Sequence, residues 1–340
     1  MLNNLTLIVS ATITTMNRLL KCNQPNLKDA AGALKAGNLV AFPTETVYGL
    51  GADATNQVAV ARVYEAKGRP TDHPLIVHIS SINRLENWVR DIPDYAIKLA
   101  NSFWPGPLTL ILPRSKLAKD FITGGQENVG VRVPNNPCAF SLLEEFESLG
   151  GLGIAAPSAN RFSKVSPTSA EDVIDELSLY LSVNDIVLDG GRSIVGLEST
   201  IIDCTKSRPL ILRPGGITNT MVTELLGQTI DINTKHTGAR IKAPGLLESH
   251  YSPNAKIFLT GTPAPGDGFI ALSKVATPSG AIRLISPRDN NEYARSLYGA
   301  MRFADSMKIT KVYVCLPEGD DIAVAICDRL RKAAFKSIHE

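Results

Sequence analysis

Long apolar runs are missing from this chain of 340 residues. None approaches the about 18 consecutive apolar residues that a membrane-spanning helix requires. No basic segment precedes the short apolar stretch at the N-terminus, as a signal peptide would require. These absences argue against a membrane protein and against a secreted one.

Cysteine is also scarce, and none of the five cysteines stands in a C-x-x-C pair. An odd number without paired spacing argues against a zinc site or a disulfide framework. We therefore predict buried, reduced thiols, which together with the missing signal peptide favour a cytoplasmic protein. The cysteines are Cys22, Cys138, Cys204, Cys315 and Cys327.

The chain has no strong excess of charge of either sign. It has 35 basic and 33 acidic residues, a net charge of +2 and a pI of about 8.2. A dedicated nucleic-acid binder is usually far more basic, although local basic pockets remain compatible with this balance. The hydrophobic fraction of 44% and the mean hydropathy of +0.03 indicate an ordinary globular protein. Its length suggests two domains.

Helical and strand patterns alternate along the chain, which predicts an α/β fold. We divide it into an N-terminal extension over 1–25, a larger α/β domain over 26–228, a linker over 229–254 and a smaller α/β domain over 255–340. The linker shows no clear period and is long for an ordinary loop, so we expect it to be functional or mobile.

Two segments match G-x-G-x-x-A, at 49–54 and 151–156, but both stand in the wrong context. A dinucleotide fingerprint follows a strand directly and opens a helix. The first match is separated from its strand by six residues, and the second precedes a strand. We predict tight turns at both. The chain has no G-x-x-x-x-G-K-[ST] phosphate loop, no H-E-x-x-H and no G-x-S-x-G.

Polar residues cluster where predicted strands end, which is where α/β folds place their sites. Lys67, Arg69 and Arg213 are cationic, and Ser158 and Asn160 add a hydroxyl and an amide. This combination suits a polyphosphate. Lys67 taken alone fits a solvated surface lysine better.

Arg132 stands within an otherwise apolar strand, where a charge is costly unless an anion compensates it. Two partners are open at this point. One is an Asp or Glu of the protein, in a structural salt bridge. The other is an anionic ligand.

Taken in order, several stretches closely resemble the threonylcarbamoyl-AMP synthase family, also called the YrdC-domain family. They span roughly 26–216: Phe42–Gly51, Lys67–Pro70, His73–His78, Trp104–Thr109, Val131–Pro134, Ala156–Asn160, Gly196–Ile201 and Leu212–Gly215. The linker segments Ala243–Gly245 and His250–Pro253 resemble the two-domain form of the family. The similarity of the C-terminal unit rests on its α/β pattern and on Asp328–Arg331.

The resemblance implies a twisted, open α/β sheet around a concave basic cavity, followed by a smaller Rossmann-like α/β domain. It implies that the amine of L-threonine takes up bicarbonate, and that the resulting carbamate attacks ATP with loss of pyrophosphate. Mg²⁺ is expected with the ATP. A downstream tRNA threonylcarbamoyl transferase is the implied partner, without stable nucleic-acid binding, a membrane or a protein-held metal.

The resemblance also implies roles for individual residues. Lys67 and Arg69 are the implied catalytic residues. The implied ATP-binding residues are Arg69, His73, Asn128, Ser158, Asn160, Ser166, Arg213 and Tyr251. The implied threonine-binding residues are Thr44, Thr46, His78, Arg132, Ala156 (through its backbone) and Ser199. In that set Arg132 would hold the threonine carboxylate with both ends of its guanidinium group.

Some of these residues also have plainer interpretations. His78 fits a hydrogen-bonded core histidine, and Ser166 fits a turn or helix cap before Pro167. In the linker, many family members carry Met-Lys-Tyr-Lys-His-Tyr, whereas this chain has Glu248 in place of the first tyrosine. A carboxylate there would repel a triphosphate unless Mg²⁺ lies between them. Either His250 or Tyr251 would then take over the nucleotide contact, or the linker covers the site differently.

Three other functions remain open on the sequence. A double-stranded RNA-binding module would use the same basic cavity, although the near-neutral charge counts against it. A carbamoyl-transfer enzyme of the hydrogenase-maturation kind would carry zinc-binding cysteine pairs and further domains, which this chain lacks. A nucleotide sensor without catalysis would share the fold.

Overall fold

The fold consists of one large mixed sheet with helices on both faces and a second, smaller parallel sheet. The computed structural model describes residues 19–233, 243–245 and 251–339, the last four by their backbone alone. Strands β1 to β15 are Leu19–Lys21, Val40–Phe42, Gly49–Asp53, Ile76–His78, Leu108–Pro113, Asn128–Arg132, Ile154–Ala155, Ile186–Asp189, Thr200–Asp203, Leu210–Arg213, Asp231–Ile232, Lys256–Phe258, Gly268–Ile270, Ile282–Ile285 and Lys311–Val314.

The helices alternate with these strands, as the sequence pattern predicts. Helices α1 to α10 are Gln24–Lys35, Gln57–Lys67, Leu85–Trp88, Asp94–Phe103, Asp120–Thr123, Pro137–Ser148, Ala170–Leu177, Asn219–Leu226, Asn290–Ser306 and Ala323–His339. A 3₁₀ turn, Ile82–Arg84, precedes α3. Among the described residues, no helix is long and apolar enough to cross a bilayer.

Among the described residues, strands β1 to β11 form the large sheet, in the order β1-β8-β2-β3-β7-β4-β6-β5-β9-β10-β11. Its centre alternates direction, because β7 runs antiparallel to both β3 and β4. Strands β4 and β6 are parallel, with His78 opposite Arg132 in register. This pairing brings two predicted threonine-site residues to the same end of neighbouring strands.

Helix starts follow from capping residues. Asn136 accepts hydrogen bonds from the backbone N–H groups of Cys138 and Ala139 at the start of α6, and Pro137 occupies the first turn. Asn56 caps α2 in the same way. Helices α1 and α6 pack together over one face of the sheet through Leu34 and Leu142, both fully buried.

Strands β12 to β15 form the second sheet, all parallel, in the order β12-β15-β13-β14. Helices α9 and α10 bury one apolar side each against it. Parallel strands joined by crossover helices are typical of the Rossmann-like α/β unit that was predicted here. The predicted fold class is confirmed.

The two sheets share a hydrophobic core. Leu197 and Val165, from loops of the larger unit, are buried in the same cluster as Tyr298 and Leu330 of α9 and α10. Gly196 has φ +78°, and a Cβ there would lie 2.5 Å from the Cα of Arg295 in α9. Helix α9 therefore lies directly against this loop.

The interpretation of 49–54 as a tight turn is wrong, because this segment is strand β3. Its glycines allow close packing instead. A Cβ on Gly51 would lie 2.6 Å from the Cγ2 of Ile154 and 2.8 Å from the Phe42 ring. Glycine is unfavourable inside a strand, so the composition of this segment does not predict one, and only its tertiary neighbours explain why it is extended.

The predicted domain limits stay a prediction, but strand pairing bears on two of them. Strand β1, within the predicted extension, pairs in parallel with β8. Strand β11, within the predicted linker, pairs in parallel with β10. Both ends of the larger unit thus contribute edge strands to its sheet.

The prediction of reduced cysteines is wrong for Cys22 and Cys138, which form a disulfide. Their Cα atoms are 5.9 Å apart, within the range that a disulfide spans, although 116 residues separate them in sequence. No spacing pattern could reveal this pair, because α1 and α6 bring it together only in the fold. Cys204, Cys315 and Cys327 are free thiols.

Candidate active site

A cavity opens at the shared ends of β4 and β6 and collects most of the predicted site residues. It is lined by Thr44, Thr46, Val47, Gly49, Arg69, Ile76, His78, Arg132, Ala156, Pro157, Ser158, Glu198, Ser199, Arg213, Pro244, Gly245 and Tyr251. Its volume is ≈ 50 Å³, far below the few hundred cubic ångströms of a typical ligand site. Linker residues Pro244, Gly245 and Tyr251 close one side of it.

A tight turn between β2 and β3 positions the two predicted threonine-site hydroxyls. Thr44 Oγ1 donates to the carbonyl of Val47 at 2.6 Å and accepts from the backbone N–H groups of Thr46 and Val47, each at 3.2 Å. The hydroxyls of Thr44 and Thr46 are 2.7 Å apart. Both side chains are buried, so the turn presents fixed hydroxyl groups to the cavity.

Arg132 has a protein partner, which is the first of the two alternatives considered for it. Its Nη2 lies 2.6 Å from Oε1 of Glu45, and both side chains are almost fully buried. Its Nη1 donates to Thr46 Oγ1 at 2.9 Å and its Nε to the carbonyl of Gly106 at 3.3 Å. A ligand carboxylate at Arg132 would therefore share the guanidinium group with Glu45 and Thr46.

His78 is buried beside Arg132, with the Phe42 ring edge-on at 6.0 Å between centroids. Burial, and then the positive charge of Arg132, lower the pKa of His78 to about 3. The imidazole is consequently neutral near pH 7 and can donate or accept a hydrogen bond without adding charge. Next to it, the backbone N–H of Ala156 donates to the carbonyl of Ile76 at 3.0 Å.

Lys67 is buried at the end of α2 and does not line the cavity, so the surface-lysine interpretation is wrong. Its ammonium donates to the carbonyl of Ser158 at 2.5 Å and to that of Asn160. Burial, followed by the charge of Arg69, lowers its pKa well below the usual range. Lys67 thus holds the loop that carries Ser158 towards the cavity.

Arg69 directly follows Gly68, whose φ of +60° ends α2. From this position its side chain reaches the cavity. Its Nη2 donates to the carbonyl of Pro74 at 3.0 Å, and its guanidinium carbon lies 5.7 Å from the centroid of the Phe162 ring. Burial lowers the pKa of Arg69 to about 10, which leaves it cationic at neutral pH. These contacts fix a cation at the cavity wall.

Arg213, at the end of β10, forms the opposite cationic wall. Its Nη2 donates to the carbonyl of Ser199 at 2.9 Å and to its hydroxyl at 3.1 Å, and its Nη1 donates to the carbonyl of Pro244 at 3.1 Å. The Ser199 hydroxyl is also 2.8 Å from that of Thr109. Arg213 therefore connects the predicted threonine residue Ser199 with the linker.

Four other predicted ATP residues do not line this cavity. Ser166 is buried and donates to Oε1 of Glu198 at 2.6 Å. Asn160 donates to the carbonyls of Arg161 and Lys164 at 2.7 and 2.9 Å. His73 packs edge-on against Phe162, and Asn128 begins β6, four residues before Arg132. Their nucleotide contacts stay predictions.

Glu45, Glu198 and Arg329 surround the site, and the sequence interpretation gave them no role. Glu45 and Glu198 lie within segments that resemble the family, and Arg329 lies within Asp328–Arg331. The ion pair between Arg329 and Glu198 could not be predicted from the sequence, because 131 positions separate the two residues. In the linker, Glu248 and His250 lie outside the described residues.

A larger groove of ≈ 910 Å³ lies elsewhere on the surface and contains none of the predicted residues. Its central cation, Arg114, is already paired with Asp120 at 2.5 Å and Glu127 at 2.9 Å. The remaining basic groups there, such as Lys116 and Lys119, belong to an open polar surface. The small cavity, with three buried arginines and a neutral histidine, is the better candidate for chemistry.

The chain matches two family models. Residues 32–215 match the Sua5–YciO–YrdC model, which carries the description "Telomere recombination". Residues 217–335 match a model described as the C-terminal domain of threonylcarbamoyl-AMP synthase.

Relatives match over almost the whole chain. The threonylcarbamoyl-AMP synthase of Pyrococcus abyssi is 40% identical, covering 91% of this chain and 94% of the relative. That of Bacillus subtilis is 37% identical, covering 93% and 94%. A solved structure of P. abyssi Sua5 complexed with L-threonine has a TM-score of 0.82 at 36% identity, covering 93% of this chain and 96% of that one.

Fold and site together define an α/β protein of two sheets with a buried, arginine-lined cavity suited to carboxylate and phosphate groups. The chain belongs to the threonylcarbamoyl-AMP synthase family.

Proposed function

We propose that this chain condenses L-threonine, bicarbonate and ATP into threonylcarbamoyl-AMP and pyrophosphate, for the threonylcarbamoyladenosine modification of tRNA. The observation that carries the proposal is the cavity itself. It brings three cationic side chains, several hydroxyl groups and a neutral imidazole to one space in a chain from this family.

Threonine would bind at the β4–β6 end. Its carboxylate would share Arg132 with Glu45, and its hydroxyl or amine would contact Thr46, His78, Ser199 or the backbone at Ala156. The P. abyssi structure with L-threonine supports a threonine site in this fold. Because His78 is neutral, Arg132 is the cation that a carboxylate would meet at this end, and it would keep its ion pair with Glu45.

ATP would bind between Arg69 and Arg213, with Ser158 on the intervening wall. It would arrive as its magnesium complex, with Mg²⁺ held by phosphate oxygens. Among the described residues, Glu45 and Glu198 are carboxylates at the cavity, and they are already engaged by Arg132 and Arg329. Within the described ranges no cluster of three or more His, Cys, Asp or Glu residues could hold a metal ion.

The chemistry needs no covalent nucleophile. The threonine amine attacks the carbon of bicarbonate and water leaves, giving a carbamate. A carbamate oxygen then attacks the α-phosphorus of ATP, and pyrophosphate leaves with the electrons of the broken P–O bond. Fixed cations in a buried site stabilise the charge that develops on the phosphates, and exclusion of water protects the labile product.

Pro244, Gly245 and Tyr251 must move to admit the nucleotide, because the cavity is too small as it stands. Pro244 accepts a hydrogen bond from Arg213, and Gly245 accepts one from Lys332 of α10. Triphosphate oxygens would replace the Pro244 carbonyl at Arg213. A downstream transferase in the cytoplasm would then receive the adenylate.

The test is pyrophosphate release from ATP, L-threonine and bicarbonate, with each omitted in turn. We expect release only with all three, and a loss of about 100-fold or more in kcat/KM for Arg132→Lys, because lysine cannot keep the fork geometry. Arg90→Lys, an exposed arginine, is the matched control. ATP binding without any release would favour a nucleotide sensor instead, and release without threonine would contradict the proposed reaction. Salt-sensitive RNA binding without ATP consumption would favour the RNA-binding module.

A further inference from the structure

Glu198 is a buried carboxylate in the wall of a cavity that we propose to hold a triphosphate. Three donors satisfy it. Oε1 accepts from Ser166 at 2.6 Å, and Oε2 accepts from the Tyr298 hydroxyl and from Nε of Arg329, each at 2.8 Å. Two of these donors, Tyr298 on α9 and Arg329 on α10, come from the C-terminal unit.

Arg329 is fully buried, and each of its contacts is with the site or its surroundings. Besides Glu198, it donates to the carbonyl of Pro214 at 2.9 Å and to Asp328 at 2.6 Å. Its guanidinium carbon lies 5.1 Å from the centroid of the Tyr251 ring. The side chain is thus held in one position by ion pairs, a backbone carbonyl and an aromatic face.

Without Arg329, Glu198 would be a net negative charge inside a phosphate site. Burial acts to raise its pKa, but the charges of Arg329 and then Arg213 outweigh burial and lower it to about 2, so the carboxylate is ionised. Among the described residues, Arg213 is the next cation that acts on Glu198. An unneutralised Glu198 would compete with phosphate oxygens for it and repel the triphosphate.

We propose that Arg329 is a positioning residue of the ATP site, acting by neutralising Glu198 so that Arg213 is available to the nucleotide. This inference rests on the proposed function and assigns a role to the C-terminal unit. That unit supplies the counter-ion that makes an acidic cavity wall compatible with a polyphosphate. Threonine, bound at Arg132, should depend much less on it.

The experiment is a double-mutant cycle on the full chain, with ATP and L-threonine dissociation constants measured separately by calorimetric titration in the presence of Mg²⁺. The variants are Arg329→Met, Glu198→Gln and the pair together. Arg331→Met is the control, because Arg331 lies two residues away on α10 and is exposed. Arg329→Lys and Tyr298→Phe serve as milder changes if Arg329→Met does not fold, as judged by its thermal unfolding.

We expect Arg329→Met to weaken ATP binding by about ten-fold or more while threonine binding changes little. In the Glu198→Gln background the same change should cost much less, because no carboxylate is left to neutralise. Arg331→Met should match the wild type.

Equal losses of ATP affinity in both backgrounds, or parallel losses for ATP and threonine, would show a merely structural role and overturn the inference. So would unchanged ATP affinity in a folded Arg329→Met protein. If the wild type and Arg331→Met bind no ATP at all, the proposed function fails, and this inference fails with it.

Discussion

Individual charges in this site are compensated in pairs. Glu45 neutralises Arg132, and Glu198 neutralises Arg329, in each case with both side chains at most 8% exposed. Removing one partner of such a pair typically costs about 3–5 kcal/mol, because the other charge stays buried. Arg69 and Arg213 instead donate mainly to backbone carbonyls. They keep their full charge for a ligand.

Lys67 allows a test of positioning without ligand contact. Replacing it with methionine leaves the carbonyls of Ser158 and Asn160 without their donor, but it also removes a charge that is costly to bury. We therefore expect ATP affinity to fall by about ten-fold, with a change in unfolding free energy below ~2 kcal/mol. Titration and denaturant unfolding measure both. Lys35→Met, at the exposed end of α1, should change neither. Unaltered ATP binding in Lys67→Met would show that the loop does not need this lysine.

His78 predicts a specific pH dependence of stability. Its pKa is about 3 in the folded state and about 6.5 when unfolded, so below pH 6.5 only the unfolded chain takes up the proton. The contribution of neutral His78 to the free energy of unfolding is therefore fully present above pH 6.5. It decreases by ~1.4 kcal/mol per pH unit as the pH falls below 6.5. Urea unfolding at pH 7.5 and 5.5 should show a larger decrease for the wild type than for His78→Asn. Equal decreases would mean that His78 is solvated.

Residue roles were predictable from the sequence only where one residue type implies one kind of partner. Arg132 in an apolar strand had to meet an anion, but whether Glu45 or a ligand supplied it depended on a turn 87 positions earlier. The burial of Lys67 was not predictable, because its acceptors are backbone carbonyls of a distant loop and backbone carbonyls carry no sequence signal.

At the scale of elements, the sequence predicts best where periodicity and capping agree. The sequence predicts a helix over 137–148, and α6 has these limits, because Asn136 and Pro137 mark its start and apolar residues recur at helical spacing. The sequence also predicts strands over 186–189 and 210–213, and β8 and β10 have these limits. Strand β3 was missed, since Gly49 and Gly51 give the composition of a turn and only packing against Phe42 and Ile154 explains them.

Two glycine-to-alanine changes separate packing from backbone propensity. A Cβ at Gly51 would lie within 3 Å of side chains from both neighbouring strands, so Gly51→Ala should cost about 1–3 kcal/mol through overpacking. At Gly32, inside α1, nothing lies within 4 Å, so Gly32→Ala should stabilise by up to ~1 kcal/mol through helix propensity. Thermal unfolding should move in opposite directions. A stabilised Gly51→Ala protein would contradict the close strand packing.

At the scale of the whole molecule, helices of the C-terminal unit pack against the residues that surround the site. Besides Arg329, α9 contributes Arg302, which pairs with Glu176 of α7 at 3.2 Å, and Arg295, which donates to the carbonyl of Ile194 at 2.9 Å. None of these contacts was predictable, because each joins residues more than 100 positions apart. The hydrophobic pattern of each element is accounted for within its own unit and does not indicate a partner in the other unit. The sequence predicted two α/β units but not that they share a core.

A shared core should make the chain unfold as one unit, and Gly196 offers a way to break that coupling. Alanine at Gly196 would combine an unfavourable φ of +78° with a contact of 2.5 Å to the backbone of α9. Gly191→Ala has the same backbone penalty, with φ +82° and open space around it, so it is the matched control. We expect Gly191→Ala to cost about 1 kcal/mol within a single calorimetric transition. Gly196→Ala should cost more and separate two transitions, because α9 is displaced from the larger unit. If both variants lose the same stability in a single transition, the contact between the units contributes little, and the site would tolerate movement of α10.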